Sequence, residues 1–315
     1  MVREVTRLGA LLLASVVSVL AEAYPLTIEH KYGQIELSEQ PQRVVSVGVT
    51  DHDDILALGV IPLAVRDWYG DQPYGVWPWA QDELGDAKPV LLKGQTVDFE
   101  AIAQLKPDLI IGVSSGMDKK TYDKLSTIAP TLAQSGAYTD WAMPWDERHL
   151  MIGKALGYEE KSQAIVQDIK QQIATLRAKH PEFEGKSAAV AFYYNKQPGA
   201  YASKDLRSQF LIALGFHIPA SIDALAKEAF YTSFSEERMD LLDNDLVIWL
   251  TTEEQLEQSS NAIFRKRMPF YKEKREYFTG DIIGGAFSFF SPLSIQYLID
   301  EMVPAMANIL EEKSS

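Results

Sequence analysis

Residues 66–80 read RDWYGDQPYGVWPWA: five large aromatic rings, two acids and one arginine, interrupted by two prolines and two glycines. No helical or strand period runs through the stretch, so its rings are not explained as one face of a regular element. Arginine beside aromatic rings suits a surface that grips anionic oxygens with a forked guanidinium and covers organic groups with ring faces. A second cluster, TDHDD at 50–54, carries side chains of metal-ligating type. Acids in a helix's first turn are also favoured by capping and the helix dipole, and that is the simpler reading here. The five histidines, at 30, 52, 149, 180 and 217, are scattered, so no metal site of the protein itself is expected. Asp51, Asp53, Asp54, Asp67 and Asp71 would allow a hydrolase built on paired carboxylates. The sequence holds no nucleophile elbow, His-Glu-x-x-His motif or phosphate loop, and an enzyme is not expected.

Short apolar runs alternating with helical segments must position these residues, the pattern of α/β lobes with mainly parallel central sheets. Strands are expected at RVVSVG (43–48), PLAV (62–65), DLIIGV (108–113), AAVAFYY (188–194) and DLVIWL (245–250). A helix over 50–58 is capped by Thr50 or Asp51 and closed by Gly59. FEAIAQLKPDLII (99–111) aligns with EERMDLLDNDLVI (236–248) at an offset of 137, pairing Glu100 with Glu237. LALGVIP (56–62) resembles IALGFHIP (212–219), and two matches in one order suggest two related α/β units. Between them, 158–180 is a charged run with Ala164, Ile165, Ile169, Ile173 and Leu176 at helical spacing. A single helix of this length would hold two lobes at nearly fixed separation and limit closure to rocking. The division expected is leader 1–23, N-terminal lobe 24–145, connecting helical segment 146–181 and C-terminal lobe 182–315. Trp77 and Trp79, flanking Pro78, are expected to pin their loop onto its own lobe.

With 46% apolar and 23% charged residues the chain is of ordinary globular composition. Arg3 and Arg7 precede thirteen uncharged residues, Leu8 to Leu20, and Ala21-Glu22-Ala23, the pattern of a cleaved secretory leader. Thirteen helical residues span about 20 Å, short of the roughly 30 Å hydrocarbon core. There is no cysteine for a disulfide or a lipid anchor, so a free periplasmic protein is expected. A net charge of −14 argues against nucleic acid or an anionic membrane as partner.

PQRVVSVG, DILALGVIPLAV, VDFEAIAQLKPDLIIG, YDKLSTIAPTL, MIGKALG, FLIALGF and LLDNDLVIW occur in that order. Together they make the chain resemble the periplasmic ferric-siderophore-binding proteins of ABC importers, with haem and cobalamin binders as relatives. The resemblance implies two α/β lobes joined by a long connecting α-helix, a ligand cleft between them and no catalysis. It implies a monomer without cofactor that carries iron only within its siderophore and delivers it to an inner-membrane permease. Ligands of open α/β sheets bind past the carboxyl ends of the strands. That rule names Arg66, Trp68, Tyr69, Lys93, Ser115 and Tyr138 in the first lobe, and Tyr194, Arg207, Trp249 and Phe287 in the second. The resemblance further assigns Glu100 and Glu237, one on each lobe, to arginines of the permease. Haem, cobalamin or a free metal ion remain alternative cargoes. Few cleft cations in an acidic protein favour a hydroxamate over a tris-catecholate.

Overall fold

The computed structural model describes residues 24–94, 96–195, 197–252, 255–256 and 261–311; the expected leader, 1–23, lies outside the described residues. An antiparallel hairpin comes first, β1 (Leu26–His30) with β2 (Gly33–Leu37). Next come β3 (Val44–Ser46), β4 (Ala64–Arg66), β5 (Val90–Leu92), β6 (Leu109–Gly112) and β7 (Thr131–Ala133). They form a wholly parallel sheet in the order β5-β4-β3-β6-β7. Buried on both faces, β3 and β6 are continuous apolar or small runs, as the middle of a covered parallel sheet requires.

The second sheet holds β8 (Ala188–Tyr194), β9 (Gln197–Tyr201), β10 (Tyr231–Ser233), β11 (Leu246–Trp249) and β12 (Glu276–Phe278), ordered β10-β9-β8-β11-β12. Here β8, β11 and β12 are parallel, whereas β9 and β10 run antiparallel. The internal repeat has a structural counterpart. β6 lies beside β3 as β11 lies beside β8, and Leu246 follows Leu109 by 137 residues. Gly199 faces Phe192 across the β8–β9 pair, and a Cβ there would fall 2.2 Å from the ring. The glycine therefore gives Phe192 its place.

The expected connector is a 21-residue helix, Glu159–Lys179, about 32 Å long. Its buried stripe runs through Ser162, Val166 and Ile169 and continues with the half-buried Ile173 and Leu176; Ala164 faces outward instead. Before it, Trp145–Leu156 ends at Gly157 in the left-handed region, and Gly153 admits Ser162 so closely that a Cβ would lie 2.4 Å from it. The last helix, Pro292–Glu311, packs against both the connecting helix and the first-lobe helix Asp51–Ala57. Two packed helices thus join the lobes, and the main core runs from the second sheet across to Trp77, Trp79 and Trp145. Among the described residues no helix is long and apolar enough to cross a membrane.

Candidate functional site

Two adjoining cavities, of about 600 and 290 Å³, lie where the two lobes meet and share Phe230 and Ser288 in their walls. Tyr69 reaches the larger cavity from the loop after β4, and Trp68 the smaller. Tyr194, at the end of β8, and Tyr201 and Tyr231, on β9 and β10, wall the larger one. Trp68, Trp141, Tyr194, Phe230 and Tyr231 are exposed although large and apolar, and all five line these cavities. Such clustering of uncovered rings marks a surface built to receive an organic ligand.

Arg207, in the first turn of the helix Leu206–Leu214, lines the smaller cavity. Its guanidinium stacks 4.4 Å from the centre of the Tyr201 ring and donates to both oxygens of Asp205, at 3.0 and 3.2 Å. Its Nε is buried and has no hydrogen-bond acceptor among the described residues. Burial works against the Arg207 charge, but Tyr201 and Asp205 together outweigh it and hold its pKa above the usual arginine value. Burial also raises the Tyr69 phenol above its ordinary pKa, against a hydrogen bond with the Ser288 side chain.

The structure brings Trp68, Tyr69, Tyr194, Arg207 and Phe287 to these cavities, although Phe287 is fully buried behind the wall. Arg66 and Ser115 instead line a separate groove on the first lobe. There Arg66 Nη1 donates to the Val47 carbonyl at 3.5 Å, and Ser115 Oγ donates to the Gly112 carbonyl at 2.7 Å. Lys93 is exposed and lines neither inter-lobe cavity. Tyr138 lies outside both and donates to Glu147 at 2.5 Å. Trp249 is fully buried on β11, with its indole donating to Glu276 at 2.7 Å, so it supports the sheet. Tyr201, Phe230, Tyr231 and Asp205 were not legible as wall residues. The pairing of β9 and β10 brings the first three there, and neither strand carries an apolar run that would mark it.

Trp77 and Trp79 do more than pin their loop to its own lobe. They stack on each other at 5.0 Å and pack against Phe289, at the end of the second-lobe helix Gly280–Phe289. Gly285 of that helix lets Trp77 in, since a Cβ there would lie 2.6 Å from the indole. Phe289 is also in ring contact with His52, Trp68 and Tyr69, which ties the cavity wall to the lobe junction.

The acids of TDHDD are not a solvated helix start. Asp51, His52, Asp53 and Asp54 are all buried in the helix Asp51–Ala57, and Thr50 makes no side-chain cap. Asp51 accepts the Ser114 amide at 2.9 and 3.1 Å. Asp53 accepts the Trp79 indole at 2.7 Å and the Ser291 hydroxyl, from the other lobe, at 2.6 Å. Asp54 accepts Arg148 at 2.8 Å and pairs with His149 at 3.1 Å. Among the described residues no group of three or more potential metal ligands is arranged to hold an ion.

Burial pushes Asp53 up to about 7 and Asp51 up to about 6, and it lowers His52 to about 4. A carboxyl with a raised pKa keeps its proton in the fold while the unfolded chain releases it, so its contribution is lost as pH rises through the folded value. His52 acts oppositely between its folded value and the ordinary 6.5. Asp53→Asn removes only the Asp53 term. Its melting temperature relative to the native protein is therefore expected to rise from pH 4 to pH 7 and then level off. A difference that stays constant over that range would mean Asp53 is ionised throughout.

Two α/β lobes held by packed helices, with an aromatic cavity between them, define a ligand receptor of the substrate-binding class. Residues 44–281 match the family model described as periplasmic binding protein, and the chain belongs to that family. A periplasmic solute binding protein from Mycobacterium smegmatis is 34% identical, with a TM-score of 0.81 over 90% of this chain and 98% of its own. PiaA from Streptococcus pneumoniae in complex with ferrichrome is 28% identical, with a TM-score of 0.76 over 90% of this chain and 98% of its own. The Fe(3+) dicitrate-binding periplasmic protein FecB of Escherichia coli is 27% identical over 211 residues, 67% of this chain and 68% of its own.

Proposed function

We propose that this protein captures a ferric siderophore in the periplasm, after removal of its leader, and delivers it to an inner-membrane ABC importer without catalysing a reaction. The observation that carries this reading is the inter-lobe cavity pair, walled by exposed rings with Arg207 among them. A ferric complex offers metal-bound oxygens to a guanidinium and organic arms to aromatic faces. Likeness to the ferrichrome complex of PiaA supports the same cargo type. In this reading Trp68, Tyr69, Tyr194 and Arg207 touch the ligand, and the exposed Glu100 and Glu237 meet the permease.

Tryptophan fluorescence tests it directly, because Trp68 and Trp141 both line the smaller cavity. Ferric hydroxamates are expected to quench at saturable stoichiometry, and haem and cobalamin are not. Trp68→Ala is expected to weaken binding about 10–30-fold, or ~1.4–2 kcal/mol, with little change in melting temperature. Trp68 suits this test better than Tyr69, whose ring also packs against the buried Trp77. A large loss of melting temperature with unchanged affinity would show that Trp68 is packing and not a ligand contact.

A further inference from the structure

The cavity walls carry a charge balance that bears on which ferric complex they accept. Among the described lining residues, Arg148, Lys204 and Arg207 stand against Asp140, Asp205 and Asp281, a formal net charge of zero. Each cation already has a carboxylate: Arg148 has Asp54 at 2.8 Å, Lys204 has Glu228 at 3.7 Å and Arg207 has Asp205 at 3.0 Å. Arg66 and Lys93, the other cations the sequence offered, line neither cavity. Arg207 differs from Arg148 in keeping a donor, Nε, without an acceptor among the described residues, and in standing over a wall ring, Tyr201.

We infer that Asp205 is a specificity-determining residue: by neutralising Arg207 it restricts the cleft to ferric complexes without net negative charge, the trihydroxamate class. This rests on the siderophore reading and deepens it. A neutral ferric trihydroxamate needs directed donors and ring faces, and a paired arginine still supplies a directed donor. A ferric tris-catecholate carries three negative charges and needs an excess of cations in the wall. Among the described lining residues there is no such excess, and Asp205 stands beside their most suitable donor. Leaving the wrong cargo's charge without a counter-charge is a common route to specificity.

Asp205 also caps the helix Leu206–Leu214, accepting the Arg207 amide at 3.0 Å. Asparagine and serine cap about as well as aspartate, so Asp205→Asn and Asp205→Ser remove the charge and keep the cap. The experiment is a fluorescence titration of the native protein and both variants with ferrichrome, a neutral trihydroxamate, and with ferric enterobactin, a tris-catecholate. The native protein is expected to prefer ferrichrome by about 100-fold or more, ~2.7 kcal/mol. Both variants are expected to shift the affinity ratio toward enterobactin by about tenfold or more, with cooperative melting retained. An unchanged ratio in both folded variants, or a native preference for enterobactin, overturns the role of Asp205 and leaves the siderophore reading standing. Binding of neither complex by the native protein overturns the siderophore reading and this inference with it.

Discussion

Replacing Arg148 with alanine is expected to destabilise the fold by about 3–5 kcal/mol, because it leaves a buried carboxylate without its cationic partner. Asp54 is fully buried and Arg148 is 5% exposed, so solvent offers little compensation. Arg148 does two things at once. Its Nε donates to Asp54 at 2.8 Å, and its Nη2 donates at 2.9 Å to the carbonyl of Phe290, which closes the second-lobe helix in the left-handed region. One side chain therefore neutralises an acid of the first lobe and ties down the backbone of the second. Lysine presents a single point charge without the planar fork, so Arg148→Lys is expected to recover only part of the loss. Asp54→Asn combined with Arg148→Ala should recover more, since it removes the stranded charge. Denaturant unfolding of the three variants measures this. A loss below about 1 kcal/mol for Arg148→Ala would mean that water reaches Asp54 and the pair behaves as a surface one.

That pair was outside what the sequence could reveal, and the reason is local. TDHDD has the signature of a helix start whether its acids face water or a protein interior. What decides is who faces them: Trp79 lies 26 positions from Asp53, Arg148 lies 94 from Asp54, and Ser291 lies 238 from Asp53. Burial of four consecutive ionisable residues at the lobe junction is thus a tertiary fact. Inner strands were legible because continuous apolar runs have few other uses; AAVAFYY became β8 with the same bounds, and DLVIWL contains β11. The inner strand QPGAY and the edge strands YTS and EYF were not, since none of them is a continuous apolar run. Trp249 shows the same limit within a legible strand. All four residues of β11 are buried, so alternation gave no sign of which side faces ligand. Trp68 and Tyr69 were legible as cavity-wall residues because they follow a strand end closely in a stretch with no period of its own.

The lobe junction also bears on how a bound state could be signalled outward. Phe289 touches the cavity ring Trp68 on one side and Trp77, Trp79 and His52 on the other, and Ser291, two residues on, reaches Asp53. Packed contacts of this kind permit a small rocking of the lobes and resist wide opening. In the proposed delivery to an importer, the partner would sense the spacing of two fixed points, one on each lobe. Glu100 and Glu237 are candidates for those points. Each lies exposed in the first turn of its helical segment, and each precedes the strand that flanks its lobe's central strand.

Charge reversal of either glutamate is expected to cut transport more than tenfold, and reversal of both to abolish it, while cargo affinity stays within about twofold. Placing a lysine against a basic receptor surface replaces attraction with repulsion, and a like-charge juxtaposition across an interface costs several kcal/mol. Neither side chain lines the inter-lobe cavities, so affinity has no direct reason to change. Glu100→Gln and Glu237→Gln remove attraction without adding repulsion and are expected to fall between. The native rate should also decline with salt, because exposed charges are screened over about 8–10 Å at moderate ionic strength. Uptake into proteoliposomes bearing the cognate importer, beside a fluorescence titration of the same variants, separates the outcomes. Lost affinity would move these glutamates into ligand binding, and full transport by the double reversal would place the docking surface elsewhere.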